Sequence, residues 1–131
     1  MVAPNKLRIV VVSGTRERLQ MAAMVASVGA VSGDDVTVFL SMNALPYFAK
    51  GAHLDAPAEG PVGKLLAQKN VPPFKQLFEQ AVALGDAKIH PCSMAMDLLE
   101  LEPASLESYM REPLGLTKFL TDCKDGQVWS F

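Results

Sequence analysis

The chain has 131 residues, half of them apolar and a fifth charged, and its formal net charge is −2. That length suits one compact domain with one core and leaves no room for a second. The weak charge excludes a long-range field drawing in nucleic acid or an anionic membrane, and the longest apolar stretch, residues 21–31, falls short of the roughly 20 that span a bilayer.

The first residues run into a strand pattern without the basic, apolar and cleavage-site order of a signal peptide, so a cytoplasmic protein is expected. Leu7-Arg8-Ile9-Val10-Val11-Val12-Ser13 is rich in β-branched residues and closes at Gly14, the pattern of a strand buried on both faces of a parallel sheet. Ser13 or Thr15 is placed to cap the next helix, which turns to Ala, Met and Val after Arg18 and is expected to loosen at Gly29 and Gly33. Val36-Thr37-Val38-Phe39-Leu40-Ser41 predicts a second strand, and one crossover helix between the two makes a parallel βαβ unit. Residues 42–50 suit a short helix. From 51 to 63 Gly, Pro and Ala erase the periodicity; a loop of that length predicts a flap, with a helical turn within 61–68.

After Pro72-Pro73, Phe74, Leu77, Phe78, Ala81, Val82 and Leu84 recur at helical spacing as far as Gly85, which makes this the clearest helix of the chain. Ala87-Lys88-Ile89-His90-Pro91 predicts a third strand, ended by Pro91 because proline lacks the N–H of a central ladder position. Cys92 then stands at a strand end, and Ser93 is placed to cap a helix carrying Met94, Met96, Leu98 and Leu99, closed by Glu102-Pro103. A new turn starts near Ser105, residues 116–123 predict a short helix, Asp125-Gly126 a turn, and Gln127-Val128-Trp129-Ser130-Phe131 a last strand.

Ligands of open parallel sheets collect beyond the carboxyl ends of the strands, the edge that carries Ser13, Ser41 and Cys92 in this reading. Amides at the helix start after Cys92 carry partial positive charge, which favours thiolate and lowers a cysteine from its free value of ~8.5. His90, two residues earlier on the strand, points to the same face and is a candidate modulator of the thiol. The competing reading is a strand histidine satisfied by a backbone partner. Arg16 and Arg18 open the first helix on this edge and add positive charge. Ser13, Arg16, Ser41, Ser93 and Met94 are candidate substrate contacts, Met94 reading equally as core or interface filler. Cys92 also reads as a small buried hydrophobe. Asp97 answers the helix dipole, and Cys123, beside Lys124, has nothing catalytic nearby and serves as a control.

Ser13-Gly14-Thr15 offers one glycine where a dinucleotide loop has a spaced set, and neither a Gly-Lys-Ser/Thr nor a Gly-x-Ser-x-Gly occurs. The two cysteines stand at no redox spacing and a reducing compartment keeps them as thiols. His53, His90, Cys92, Asp97 and Cys123 match no zinc signature, so neither a metal nor a cofactor is expected.

Gly85-Asp86-Ala87-Lys88-Ile89-His90-Pro91-Cys92-Ser93-Met94-Ala95-Met96-Asp97-Leu98-Leu99 resembles the cysteine segment of DsrE/DsrF-like proteins, in which a strand delivers one cysteine into a Cys-Ser-Met-x-Met-Asp helix start. The likeness extends back through Gly63-Lys64-Leu65-Leu66 and Pro73 to Leu84, and again through residues 6–40. It departs at Ser41-Met42-Asn43-Ala44-Leu45, which lacks the aromatic run of close relatives, and in the short loop that follows. The resemblance implies a single-domain, three-layer α/β fold with a parallel sheet, flavodoxin-like or Rossmann-like, and a homo-oligomer. It also implies sulfur relay: Cys92 accepts sulfane sulfur as a persulfide and yields it to an acceptor thiol, its partners being donor and acceptor proteins or low-molecular-weight persulfides. Two other readings stay open. One is a non-enzymatic assembly or regulatory module with a structural Cys92 and an interface from residues 42–48 and 94–101. The other is a small-ligand or nucleotide-binding domain using the edge near Ser13 and Ser41.

Overall fold

The computed structural model describes residues 4–131, so the reading of the first three residues lies outside it. Strands β1 (Lys6–Val11), β2 (Asp35–Leu40), β3 (Lys88–Pro91) and β4 (Gln127–Ser130) form one parallel sheet in the order β3-β2-β1-β4. Parallel neighbours require crossovers. Helix α1 (Arg16–Val31) joins β1 to β2, and a 3-10 helix (Met42–Phe48), α2 (Pro61–Gln68) and α3 (Phe74–Gly85) lead to β3. Helix α4 (Ser93–Leu99), a 3-10 turn (Pro103–Ser105) and α5 (Leu116–Asp122) lead to β4. The chain steps outward from β1 to β3 and returns to the other side of β1, which puts a topological switch point between β1 and β4.

Register-paired residues of parallel strands share a face, and alternate residues take opposite ones. Ile9, Val38 and Ile89 form a buried row on the face covered by α1 and α3. Val10, Phe39 and His90 form a row on the other face, where the ring of Phe39 stacks on Phe119 of α5 with centroids 4.6 Å apart. The result is a three-layer α/β domain.

Two glycines do something other than what their positions in sequence imply. Helix α1 is not loosened at Gly29: it runs on to Val31, and only Gly33, at φ +99°, leaves it. A Cβ on Gly29 would lie 2.9 Å from Cδ2 of Leu7 and 3.4 Å from Cγ2 of Val36, so its absence lets the helix lie close on the sheet. Gly85 is still helical, and the left-handed residue that ends α3 is Asp86, at φ 58°. A Cβ on Gly85 would strike the backbone of Ala30, so the α1–α3 crossing, rather than the chain reversal, needs the glycine.

Two features of the α5 side position the site. Arg8 of β1, 2% exposed, pairs with Asp35 at 3.1 Å and with Asp122 of α5 at 2.9 Å, and donates to the carbonyl of Asp35 at 2.6 Å. A buried guanidinium is tolerable only with such partners, and here they tie α5 to the sheet. The outer edge of β3 is covered, since the N–H of Arg111 donates to Ile89 O (2.7 Å) and that of Leu114 to Pro91 O (3.0 Å). Unpaired edge groups are thereby satisfied by an irregular segment. Among the described residues no helix is long and apolar enough to cross a membrane.

Candidate functional site

Cys92 directly follows the last residue of β3. Its N–H extends the ladder by donating to Leu40 O at 2.8 Å, and its carbonyl accepts from Met96 N–H at 3.0 Å, making Cys92 itself the cap residue of α4. Ser93 is therefore the first helical residue and not the cap; its N–H donates to Leu114 O at 2.9 Å. The pairing of Leu40 with Pro91 sets Ser41 level with Cys92. Ser41 is buried, and its N–H donates to Val11 O at 3.0 Å. Cys92, Ser41 and Ser93 thus come together at the carboxyl edge, with Met94 beside them and half-exposed.

Cys92 is 5% exposed and belongs to the core. One flank is closed by Leu114, which pairs with Cys92 as an isolated parallel bridge. On another side α4 packs against the 3-10 helix, whose Ala44, Leu45 and Phe48 are buried. Nothing local in Arg111-Glu112-Pro113-Leu114-Gly115 marks it as the cover of Cys92, because its proline and glycine read as loop.

The other predicted residues lie elsewhere. Ser13 sits at the switch point, where its N–H and that of Val12 both reach Phe131 O, at 3.3 and 2.8 Å. Arg16 lines a cavity of about 460 Å³ with Gln20 and Phe74, its guanidinium 3.5 Å from Gly63 O. Arg18 pairs with Glu59 at 2.7 Å. Both arginines therefore serve the 51–63 segment. That segment is latched and not a free flap: Glu17 accepts from the N–H groups of Glu59 (2.8 Å) and Gly60 (2.7 Å). These bonds, the one from Glu59 foremost, hold the Glu17 carboxyl below the usual range. Thr15 occupies the cap position of α1, but its hydroxyl donates to Glu59 and accepts from no helix N–H.

His90 is buried, and its Nδ1 lies 2.8 Å from Glu112 O, a distance at which Nδ1–H donates to the carbonyl. The Glu112 carboxylate lies 4.0 Å away; its own backbone amide, then the charges of His90, Arg111 and Lys118, hold it below the usual range. The histidine therefore anchors the segment that covers Cys92. Burial pushes the half-buried Cys123 thiol up. Among the described residues no group of three or more His, Cys, Asp or Glu side chains stands together as a metal site.

The model of the DsrE/DsrF/DrsH-like family matches residues 52–131, more than half of the chain, including β3, Cys92 and α4. No curated protein matches. Among solved structures, the ychN protein from E. coli aligns with a TM-score of 0.69 at 16% identity, covering 98% of this chain and 99% of that one. The likeness is one of fold, and it takes in β1, α1 and β2, which the family model does not reach.

Proposed function

The chain belongs to the DsrE/DsrF/DrsH-like family, and from that premise we propose that it is a cytoplasmic sulfur carrier loaded on Cys92. The thiolate of Cys92 attacks the outer sulfur of a donor persulfide; the donor S–S bond breaks, the donor leaves as a thiolate, and Cys92 holds S–SH. An acceptor thiolate then attacks that outer sulfur and releases the Cys92 thiolate. Each exchange forms one S–S bond and breaks another, so no external oxidant, reductant or cofactor is consumed. The observation that carries the reading is the family match across the segment that sets Cys92 at the carboxyl edge of the sheet. In this reading Ser41, Ser93 and Met94, adjacent to Cys92 at the strand ends, are the substrate contacts, and Ser13 and Arg16 lie apart from them. His90 acts on the thiol as a positioning residue, through Glu112 and the cover ending at Leu114.

A homo-oligomer accompanies this reading. Met21, Met24, Val28 and Val31 form an exposed apolar stripe on α1, whose opposite face is already buried, and Trp129 of the edge strand β4 continues it around a groove of about 410 Å³. A helix apolar on both faces is one that expects burial on both. The burial of Cys92 favours a second reading, an assembly module with a structural cysteine.

Peptide mass spectrometry after incubation with a persulfide donor separates the two, comparing the parent with Cys92→Ser and Cys123→Ser. Added sulfur that maps to residue 92 and vanishes only in Cys92→Ser supports the carrier. A Cys92 that stays unmodified while Cys123 reacts supports the structural role.

A further inference from the structure

The face of the sheet that bears α5 carries polar residues where a parallel sheet is ordinarily apolar. Lys88, Thr37 and Arg8 sit opposite one another across β3, β2 and β1 in a single row, at the amino ends of the strands and away from Cys92. They floor a groove of about 350 Å³, walled on one side by α5 and on another by the segment that holds His90.

Two largely buried residues line the groove with a polar side-chain atom that makes no hydrogen bond among the described residues. Thr37 is 3% exposed, and its hydroxyl has no hydrogen-bond partner among the described residues. His90 commits Nδ1 to Glu112 and leaves Nε2 without a protein partner among them. The charges around the groove are unbalanced. Two of its three carboxylates, Asp35 and Asp122, are taken by Arg8. Lys6, Lys88, Arg111 and Lys118 have no carboxylate at ion-pair distance among the described residues. Five cationic side chains thus face three carboxylates on a chain whose net charge is −2, so positive charge is concentrated here against the overall sign.

We propose that this groove binds a small organic anion through a phosphate- or sulfate-type oxyanion group. The Thr37 hydroxyl donates to one oxygen, Lys88 and Lys118 neutralise its charge from opposite sides, and the rest of the molecule fills a space larger than the anion needs. The groove shares His90, Glu112 and Leu114 with the cover of Cys92, but binding there does not depend on sulfur relay.

Backbone amide NMR shifts read the binding, with inorganic phosphate, sulfate and glucose 6-phosphate as probes and sodium chloride at matched ionic strength as the control. Phosphate should give saturable shifts at residues 6, 37, 88, 112 and 118. Glucose 6-phosphate should bind more tightly than phosphate, and glucose not at all. Thr37→Val, an isosteric change, and Lys88→Gln, at an exposed position, should each weaken binding about 10-fold, the equivalent of ~1.4 kcal/mol, without changing the fold. Shifts that chloride reproduces, that fail to saturate, or that persist unchanged in both variants overturn the site. Equal affinity for phosphate and glucose 6-phosphate overturns the organic ligand.

Discussion

Gly85→Ala tests the claim that this residue is a glycine for packing and not for turning. The added Cβ would lie 2.5 Å from Ala30 Cβ and 2.7 Å from Ala30 O, with the Ala30 carbonyl carbon nearer still. Carbon pairs settle near 3.5–4.0 Å, so α1 and α3 must part by roughly 1 Å along their crossing. Overpacking of this kind costs about 1–3 kcal/mol, towards the upper end here because the obstacle is backbone and cannot change rotamer. Alanine returns at most ~1 kcal/mol of helix propensity, less in a last turn. A net loss of about 2 kcal/mol is expected in the urea midpoint, with m unchanged. Ala30→Gly in the same background should recover only part of it, since the carbonyl remains. Asp86→Gly should move the other way, by up to ~1 kcal/mol, because Asp86 is the residue held left-handed. A Gly85→Ala variant as stable as the parent, or more stable, would refute the packing argument.

The Arg8 network should respond unevenly to loss of its partners. Asp122→Ala alone costs at most ~1 kcal/mol, the carboxylate being partly exposed, whereas Asp35→Ala with Asp122→Ala strands a buried guanidinium and costs about 3–5 kcal/mol. Arg8→Met, which buries no charge, should cost less than that double variant in the same urea titration, and the reverse order would sink the account. The Glu17 latch should be acid-labile. Its folded-state carboxyl is depressed, so its contribution is present above the unfolded carboxylate value and is lost as pH falls through the folded one. Limited proteolysis should therefore cut the parent within residues 51–60 in acid but not at neutrality. Glu17→Gln should be cut there at neutral pH, and equal protection of the two at neutral pH would contradict the latch.

Much of the architecture is written in local pattern. The β-branched run at residues 7–13, the βαβ spacing to residues 36–41 and the helical stripe from Phe74 to Leu84 each specify an element through short-range sterics and periodicity. Pro91 and the Cys-Ser-Met-x-Met-Asp segment likewise placed Cys92 at a strand end with a helix beginning next to it. Contacts between distant segments are a different matter, because no residue announces a partner a hundred positions away. Nothing in the strand runs around Arg8 and Thr37 foretells that Asp122 pairs with the one and that Lys88 lies in register with the other. Gly85 read as a helix stop until Ala30 came against it. The burial of Cys92 is of the same kind: chain order sets the thiol at the sheet edge, but whether it meets solvent depends on Leu114 and the 3-10 helix. These reach it only when the core closes, since burial belongs to the packed whole and not to any one segment.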